Sequence, residues 1–190
     1  MQGKETDMKA AVLMKSGYEE GETLTIVDLL RRAGFECDTF YFDEPFVEGM
    51  HHMLIKADQP FHENTIKEYD LLILPGGRPG GANLANDPRV IELVRSFDAQ
   101  NKYLGALCSG TMVLQQAGVL KERKVTGYTG YGKKLTDGQF TGALVEVDQN
   151  LITSQGPASP YPFAFRIMEL FGVDPAPFRH ALMYDLAKGR

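Results

Sequence analysis

Cysteine is scarce in this sequence, and long apolar runs and a surplus of positive charge are missing. Its two cysteines, Cys37 and Cys108, share no Cys-x-x-Cys spacing, so neither a zinc site nor a disulfide framework is indicated. Two free thiols fit a reducing cytoplasm, where we expect the protein. No apolar run approaches the ~18 residues of a membrane helix, and the N-terminus is polar. The net charge of -5, with interspersed signs, argues against nucleic acid and anionic membranes as partners.

The order of apolar segments predicts an α/β fold. The 190 residues suit a single domain over residues 1–190, with a flexible arm over residues 1–8. The predicted strands are Lys9–Met14, Glu36–Phe42, Tyr69–Pro75, Tyr103–Leu107 and a hairpin over Leu144–Ser154, with an extra strand or hairpin over Met50–Lys56. The predicted helices are Glu22–Ala33, Pro88–Asp98, Met112–Ala117, Tyr161–Phe171 and Pro175–Leu186, and Val125–Phe140 is predicted as loop. This alternation predicts a mostly parallel sheet with helices on both faces.

Three predicted strands end in segments that carry chemistry. These ends follow Met14, lie at Gly76-Gly77, and lie at Cys108. In open α/β sheets, ligands bind beyond the carboxyl ends of the strands. We therefore expect a functional site where these three ends meet.

Cys108 is the strongest candidate for a functional residue. It lies in Leu107-Cys108-Ser109-Gly110, between a strand-like and a helix-like run, which is the arrangement of a nucleophile elbow. A thiol there lies near the positive end of a helix dipole, so we expect the reactive thiolate to be favoured. The alternative is a buried cysteine that acts only as a small apolar side chain, which is how we interpret Cys37.

Acidic residues follow the first strand. We interpret Glu19 and Glu20 as first-turn acids that stabilise the start of a helix. Glu22 is placed one turn into that helix. Its carboxyl could therefore hydrogen-bond the Cys108 sulfur or act as a general acid and base.

A glycine-rich segment, Pro75–Gly81, follows the third predicted strand. It matches neither the dinucleotide-binding nor the phosphate-loop pattern, so we expect no cofactor and no metal. Two interpretations stay open. The amides of Gly76 and Gly77 could form an anion pocket with the amide of Ser109, or the glycines could serve a tight turn that needs positive φ.

No histidine is placed to act as a base for Cys108. None of the four follows a predicted strand, and we expect each at the surface or at an edge: His51, His52, His62 and His180. The loop after Val125-Thr126 carries Tyr128 instead. A phenol there could donate a hydrogen bond to a substrate but is a poor base at neutral pH.

These segments together resemble the ThiJ/PfpI superfamily, the family of the Parkinsonism-associated protein deglycase. The resemblance runs in family order over about Lys9–Phe171. It is carried by Glu19-Glu20-Gly21-Glu22-Thr23, Val27-Asp28, Arg31-Arg32-Ala33-Gly34, Leu74-Pro75-Gly76-Gly77, Gly80-Gly81-Ala82-Asn83-Leu84, Ala106-Leu107-Cys108-Ser109-Gly110, Lys124-Val125-Thr126 and Thr153-Ser154-Gln155-Gly156-Pro157.

The resemblance implies a flavodoxin-like three-layer sandwich and a homodimer. It implies Cys108 as the nucleophile, Glu22 as the acid in contact with it, and the amides of Gly77 and Ser109 as the anion pocket. It also implies activity on small electrophiles such as reactive aldehydes, by glyoxalase-like or deglycase-like hydration. The alternatives are an oxidative-stress sensor or chaperone that acts through oxidation of Cys108, and an isonitrile-hydratase-like lyase, which is expected to carry Asp where this chain has Glu22.

Departures from the family pattern narrow these choices. Ser109 stands where the protease branch has histidine, which argues against peptidase activity. No His-x-Glu follows at Arg179-His180, which argues against an amidotransferase. Tyr128 stands where the glyoxalase branch has histidine. A glyoxalase-like reaction here needs Tyr128 or Glu22 in place of that histidine, and Glu22 could move the protons alone if burial raises its pKa.

Overall fold

Eleven strands are found in the computed structural model of the protein, which describes residues 7–187. They are β1 (Lys9–Met14), β2 (Glu36–Tyr41), β3 (Phe46–Glu48), β4 (Leu54–Lys56), β5 (Gln59–Pro60), β6 (Leu71–Leu74), β7 (Tyr103–Leu107), β8 (Lys124–Val125), β9 (Gln139–Phe140), β10 (Val145–Asp148) and β11 (Leu151–Ser154). Seven of them form one sheet in the order β10-β11-β7-β6-β1-β2-β5. Only β10 runs antiparallel to its neighbour in that sheet. The predicted mostly parallel sheet is confirmed.

Helices cover both faces of this sheet. They are α1 (Glu20–Arg32), α2 (Glu63–Ile66), α3 (Gly80–Ala85), α4 (Pro88–Ala99), α5 (Thr111–Ala117), α6 (Pro160–Leu170), α7 (Ala176–Ala181) and α8 (Tyr184–Ala187). The apolar faces of α4 and α5 pack on one side of the strands, and those of α1 and α6 pack on the other. Burial of apolar surface on both faces explains why β1, β6 and β7 are almost entirely apolar. The three-layer, flavodoxin-like α/β fold is confirmed.

Several predicted boundaries are wrong in detail. Helix α1 begins at Glu20 rather than Glu22, because Glu19 caps it and its side chain accepts a hydrogen bond from the Glu22 amide. The segment predicted as a strand or hairpin over Met50–Lys56 is the second half of a hairpin in which β3 pairs with β4. The single helix predicted over Pro175–Leu186 is two short helices, α7 and α8.

The glycine-rich segment differs most from its prediction. Its last two glycines begin helix α3, and of its four glycines only Gly77 has a positive φ, of 111°. Of these glycines, therefore, one rather than four is needed for a turn with positive φ.

The ends of the chain leave two predictions open. Most of the flexible arm predicted over residues 1–8 lies outside the described residues, but the Met8 carbonyl accepts a hydrogen bond from the Glu36 amide. That contact ties Met8 to the body of the protein. A single domain over residues 1–190 stays a prediction.

Within residues 7–187, no helix has the length and apolar character that crossing a membrane requires.

Candidate active site

Cys108 lies on a strained turn at the end of β7. Its φ is 51°, a left-handed conformation that a residue other than glycine rarely adopts, and residues Cys108–Gly110 form a short 3₁₀ turn that leads into α5. A Cβ at Gly110 would lie 2.1 Å from the Leu74 carbonyl oxygen, so only glycine lets this turn approach β6 so closely. The elbow geometry predicted for the Cys-x-Gly segment is confirmed.

The three predicted strand ends meet beside Cys108. The Glu19 amide donates to the Gly76 carbonyl at 3.1 Å, which joins the segment after β1 to the segment after β6. The Gly80 amide donates to the Gly17 carbonyl at 3.0 Å and adds a second link between them. The Ser109 hydroxyl donates to the Gly77 carbonyl at 2.9 Å and links both to the elbow.

Glu22 projects from the first turn of α1 to the sulfur of Cys108. Its side chain is fully buried and lies against the side chain of Cys108. One carboxyl oxygen, Oε2, accepts the Gly76 amide at 2.9 Å. The other, Oε1, has no hydrogen-bond partner among the described residues. The structure therefore brings together the two side chains that the sequence singled out and leaves one buried carboxyl oxygen available.

Two of the three predicted pocket amides face the sulfur. The amides of Gly77 and Ser109 lie close enough to the Cys108 sulfur to lower the pKa of its thiol. The amide of Gly76 differs, because it donates to Glu22 instead. A Cβ at Gly76 would lie 2.6 Å from the Cys108 Cβ and 2.7 Å from the Glu22 Oε2, so this glycine lets the two side chains meet. The Gly76 amide thus orients the Glu22 carboxyl, and the amides of Gly77 and Ser109 lie beside the Cys108 sulfur.

Burial dominates the electrostatics of this pair. It raises the pKa of Glu22 to about 7, against the opposing hydrogen bond from the Gly76 amide. Burial, and next the charge of Glu22, raise the pKa of the Cys108 thiol to about 12, although the amides of Ser109 and Gly77 lower it. The expectation that a thiolate is favoured at this elbow is therefore wrong, because burial raises the pKa of Cys108 more than the two amides lower it. Protonation of Glu22 removes the charge that opposes the thiolate.

A cavity of about 710 Å³ opens onto the sulfur. Tyr128 lines it, with 45 % of its surface exposed, and its contact with a substrate stays a prediction. Tyr128 and the Glu22 Oε1 flank Gly156, lying 3.4 Å and 3.9 Å from where a Cβ at that glycine would be. Sequence reasoning missed Tyr131, whose ring packs edge-on against Tyr128 at 5.8 Å. This loop is rich in Gly and Tyr, and that composition could have pointed to Tyr131 as a cavity residue.

His51 is exposed, as expected, but it also lies at the cavity, which the sequence did not indicate. It lines the same cavity, although its ring binds Glu20 and not the reactive pair: Nδ1 lies 2.8 Å from the Glu20 Oε2. Atoms of Glu19, Glu20 and His51 that can bind a metal lie within 4.8 Å of one another. The Glu19 carboxylate already accepts the Glu22 amide, and the Glu20 carboxylate accepts the His51 amide at 2.7 Å. These carboxylates serve the helix start and its neighbouring loop, so we assign no metal to them.

Comparison with known proteins identifies the family of the chain. The sequence profile of the DJ-1/PfpI family matches residues 8–170. The chain belongs to the DJ-1/PfpI family. The Parkinson disease protein 7 homolog of Danio rerio is 33% identical over 176 residues, which are 88% of this chain and 92% of that protein. The Arabidopsis thaliana Protein DJ-1 homolog B is 33% identical over 162 residues, or 84% of this chain, but the chain spans only 37% of its length.

Other similar proteins include one that is named for an activity and one whose structure is solved. The Glutathione-independent glyoxalase DJ-1 of Schizosaccharomyces pombe is 28% identical over 173 residues, which are 85% of this chain and 90% of that protein. The crystal structure of an alanine variant of the DJ-1 superfamily protein STM1931 from Salmonella typhimurium superposes with a TM-score of 0.85. The two sequences are 31% identical, and the superposition covers 93% of this chain and 98% of the Salmonella chain. The fold and the family are therefore shared over nearly the whole chain.

The raised pKa of Glu22 predicts a specific pH dependence of stability. Unfolding returns the pKa from about 7 to about 4.5, so neutral Glu22 stabilises the fold below about pH 4.5 and this contribution is lost as pH rises through about 7. The loss is on the order of 3 kcal/mol. In urea unfolding across this range, we expect Glu22→Gln to lose less stability than wild type. Glu68→Gln, at an exposed position, should follow wild type. Parallel curves for wild type and Glu22→Gln would contradict the raised pKa.

Proposed function

We propose that this protein is a cysteine-dependent enzyme that acts on small electrophiles, with 2-oxoaldehydes as its substrate class. One observation carries the proposal: the Cys108 sulfur lies between two backbone amides, contacts the buried carboxyl of Glu22, and faces a cavity of about 710 Å³. The fission-yeast relative named as a glutathione-independent glyoxalase supports this reaction class.

The first step would join substrate and protein through Cys108. The thiol proton passes to the Glu22 carboxylate, and the sulfur adds to the aldehyde carbon. The carbonyl electron pair moves to the aldehyde oxygen, which takes the proton from Glu22. The amides of Gly77 and Ser109 lower the pKa of the Cys108 thiol in the free protein and would stabilise negative charge at this elbow during the reaction. The product is a hemithioacetal, and no charge remains on it.

The second step would move a proton between neighbouring carbons. Glu22 takes the proton from the carbon that bears sulfur and returns it to the adjacent carbonyl carbon, while the hydroxyl proton moves to the adjacent oxygen. The result is a thioester of a 2-hydroxy acid. Water then hydrolyses the thioester, which releases the acid and restores the thiol. A pKa of about 7 lets Glu22 give and accept protons at neutral pH, so no histidine is required.

The proposed mechanism predicts loss of turnover at two positions. With methylglyoxal and no added thiol, we expect Cys108→Ala to abolish consumption, because no nucleophile remains. We expect Glu22→Gln to lower kcat at least a hundredfold, because the amide cannot exchange protons. Cys37→Ala is the matched control, since Cys37 is buried on β2 and does not line the cavity. The formation of lactate measured over time checks all three variants.

Two outcomes would contradict this mechanism. Turnover by Cys108→Ala at the wild-type rate would show that Cys108 is not the nucleophile. The same result with Glu22→Gln would show that Glu22 is not the proton carrier. A wild type without turnover whose Cys108 is selectively oxidised by mild peroxide, as seen by intact mass, would favour the alternative of an oxidative-stress sensor. The same two amides and Glu22 would then hold an oxidised sulfur.

We propose further that the protein acts in the cytoplasm as a homodimer. Its two cysteines are unpaired, which supports a reducing compartment. The β3–β4 hairpin supports self-association. Val47 and Ile55 face inward, whereas the opposite face of the hairpin exposes Phe46 by 56% and Leu54 by 61%. Exposed large apolar side chains of this kind occur at protein interfaces, and here the charged Glu48 and Lys56 flank them on the same face.

The dimer proposal is tested by mass in solution. We expect sedimentation at micromolar concentration to give twice the chain mass, and Leu54→Glu to give the monomer mass, because a charge cannot be buried unpaired in the interface. Leu186→Glu, at an exposed position on α8, is the matched control and should stay dimeric. A wild-type monomer would contradict the proposal.

A further inference from the structure

The cavity in front of Cys108 carries a surplus of positive charge in an acidic protein. Its lining includes the cations Arg78 and Lys134, against one carboxylate, that of Glu19. The whole chain has a net charge of -5. Positive charge is therefore concentrated at the place where a substrate would enter.

Neither cation has a carboxylate partner in the part of the chain that the structure describes. Among residues 7–187, neither Arg78 nor Lys134 forms an ion pair with a carboxylate. Two nearby cations behave differently, since Lys15 and Arg89 both pair with Asp87 at 2.7 Å. The Lys134 ammonium instead lies 4.4 Å from the centre of the Tyr131 ring, at the cavity wall. Both cations can thus receive an anion without first losing a partner.

The position of these cations relates them to the reactive sulfur. Arg78 directly follows Gly77, whose amide lies beside the Cys108 sulfur. Lys134 lies over Tyr131, whose phenol is close enough to both Cys108 and Arg78 to feel their charges. A substrate bonded to the sulfur would extend between these groups.

The negative and titratable groups of the cavity are turned away from this position. The Glu19 carboxylate accepts the Glu22 amide at the start of α1. The His51 ring binds Glu20. Glu22 contacts the sulfur itself. It would carry protons in the reaction, and it is not one of the residues that line the cavity beside Arg78 and Lys134, where it would repel an anionic group of the substrate.

We propose that the cavity selects electrophiles that carry a carboxylate, which Arg78 and Lys134 bind while Cys108 attacks the carbonyl carbon. This inference rests on the proposed function and adds the substrate class to it. A guanidinium pairs a carboxylate through two parallel hydrogen bonds, and the ammonium adds a second charge. A 2-oxoaldehyde with a carboxylate a few carbons away, such as 4,5-dioxopentanoate, meets this description.

The charge preference can be measured without turnover. Iodoacetate and iodoacetamide alkylate the same thiol, each forming a carbon–sulfur bond as iodide leaves, and they differ in charge. We expect the ratio of their rates at Cys108, assigned by peptide mass, to be about tenfold lower in Arg78→Gln than in wild type at low salt. Lys134→Gln should also lower it, and high salt should reduce the difference. Lys133→Gln is the matched control, since this exposed neighbour does not line the cavity, and its ratio should stay at the wild-type value.

The outcomes separate this inference from the proposed enzyme. An equal ratio in wild type, Arg78→Gln and Lys134→Gln would overturn it even if methylglyoxal is consumed. A preserved preference in a protein without turnover would support the anion site while the proposed reaction fails. If neither reagent reacts, calorimetry on Cys108→Ala decides, because 4,5-dioxopentanoate should bind more tightly than neutral 2-oxopentanal. Equal affinities would overturn the inference.

Discussion

The close approach of the turn after β6 to the turn after β7 is the constraint on which the site depends. Gly110 lets the elbow lie against the Leu74 carbonyl, and Gly76 leaves room for the Cys108 sulfur beside the Glu22 carboxyl. A side chain at either position would separate the nucleophile from the acid. The parallel sheet supplies this proximity, since β6 and β7 are neighbours and their carboxyl ends lie at one edge.

Burial of Glu22 follows from the same packing and determines the chemistry. A carboxyl fully enclosed beneath a glycine turn is expensive to ionise, so its pKa rises to about 7. The neutral acid is a proton donor toward the sulfur, and its ionised form opposes the thiolate. In the proposed mechanism Glu22 is therefore the group that carries protons near neutrality, and the phenols of Tyr128 and Tyr131 line the cavity without having to serve as bases.

The sequence predicted the parts of the fold that depend on local pattern. Apolar strands with helices between them, and Cys108 with Gly110 two residues later, each carry their own signal. The local sequence carried no signal for the direction of the Gly76 amide, because that amide donates to Glu22, which lies 54 residues away. The raised pKa of Cys108 could not be predicted either, because the elbow pattern indicates the start of a helix but not how deeply the thiol is buried. His51 reaches the cavity only because Glu20 holds its loop, a contact between distant segments.

The central claim is that Glu22 is a neutral acid beside Cys108 until the pH approaches about 7. Infrared difference spectra of wild type against Glu22→Gln test it most directly, because a buried carboxylic acid has a carbonyl stretch that a carboxylate lacks. We expect this band to be present at about pH 5 and to disappear as the pH rises through about 7. A carboxylate stretch from Glu22 already at about pH 5 would contradict it.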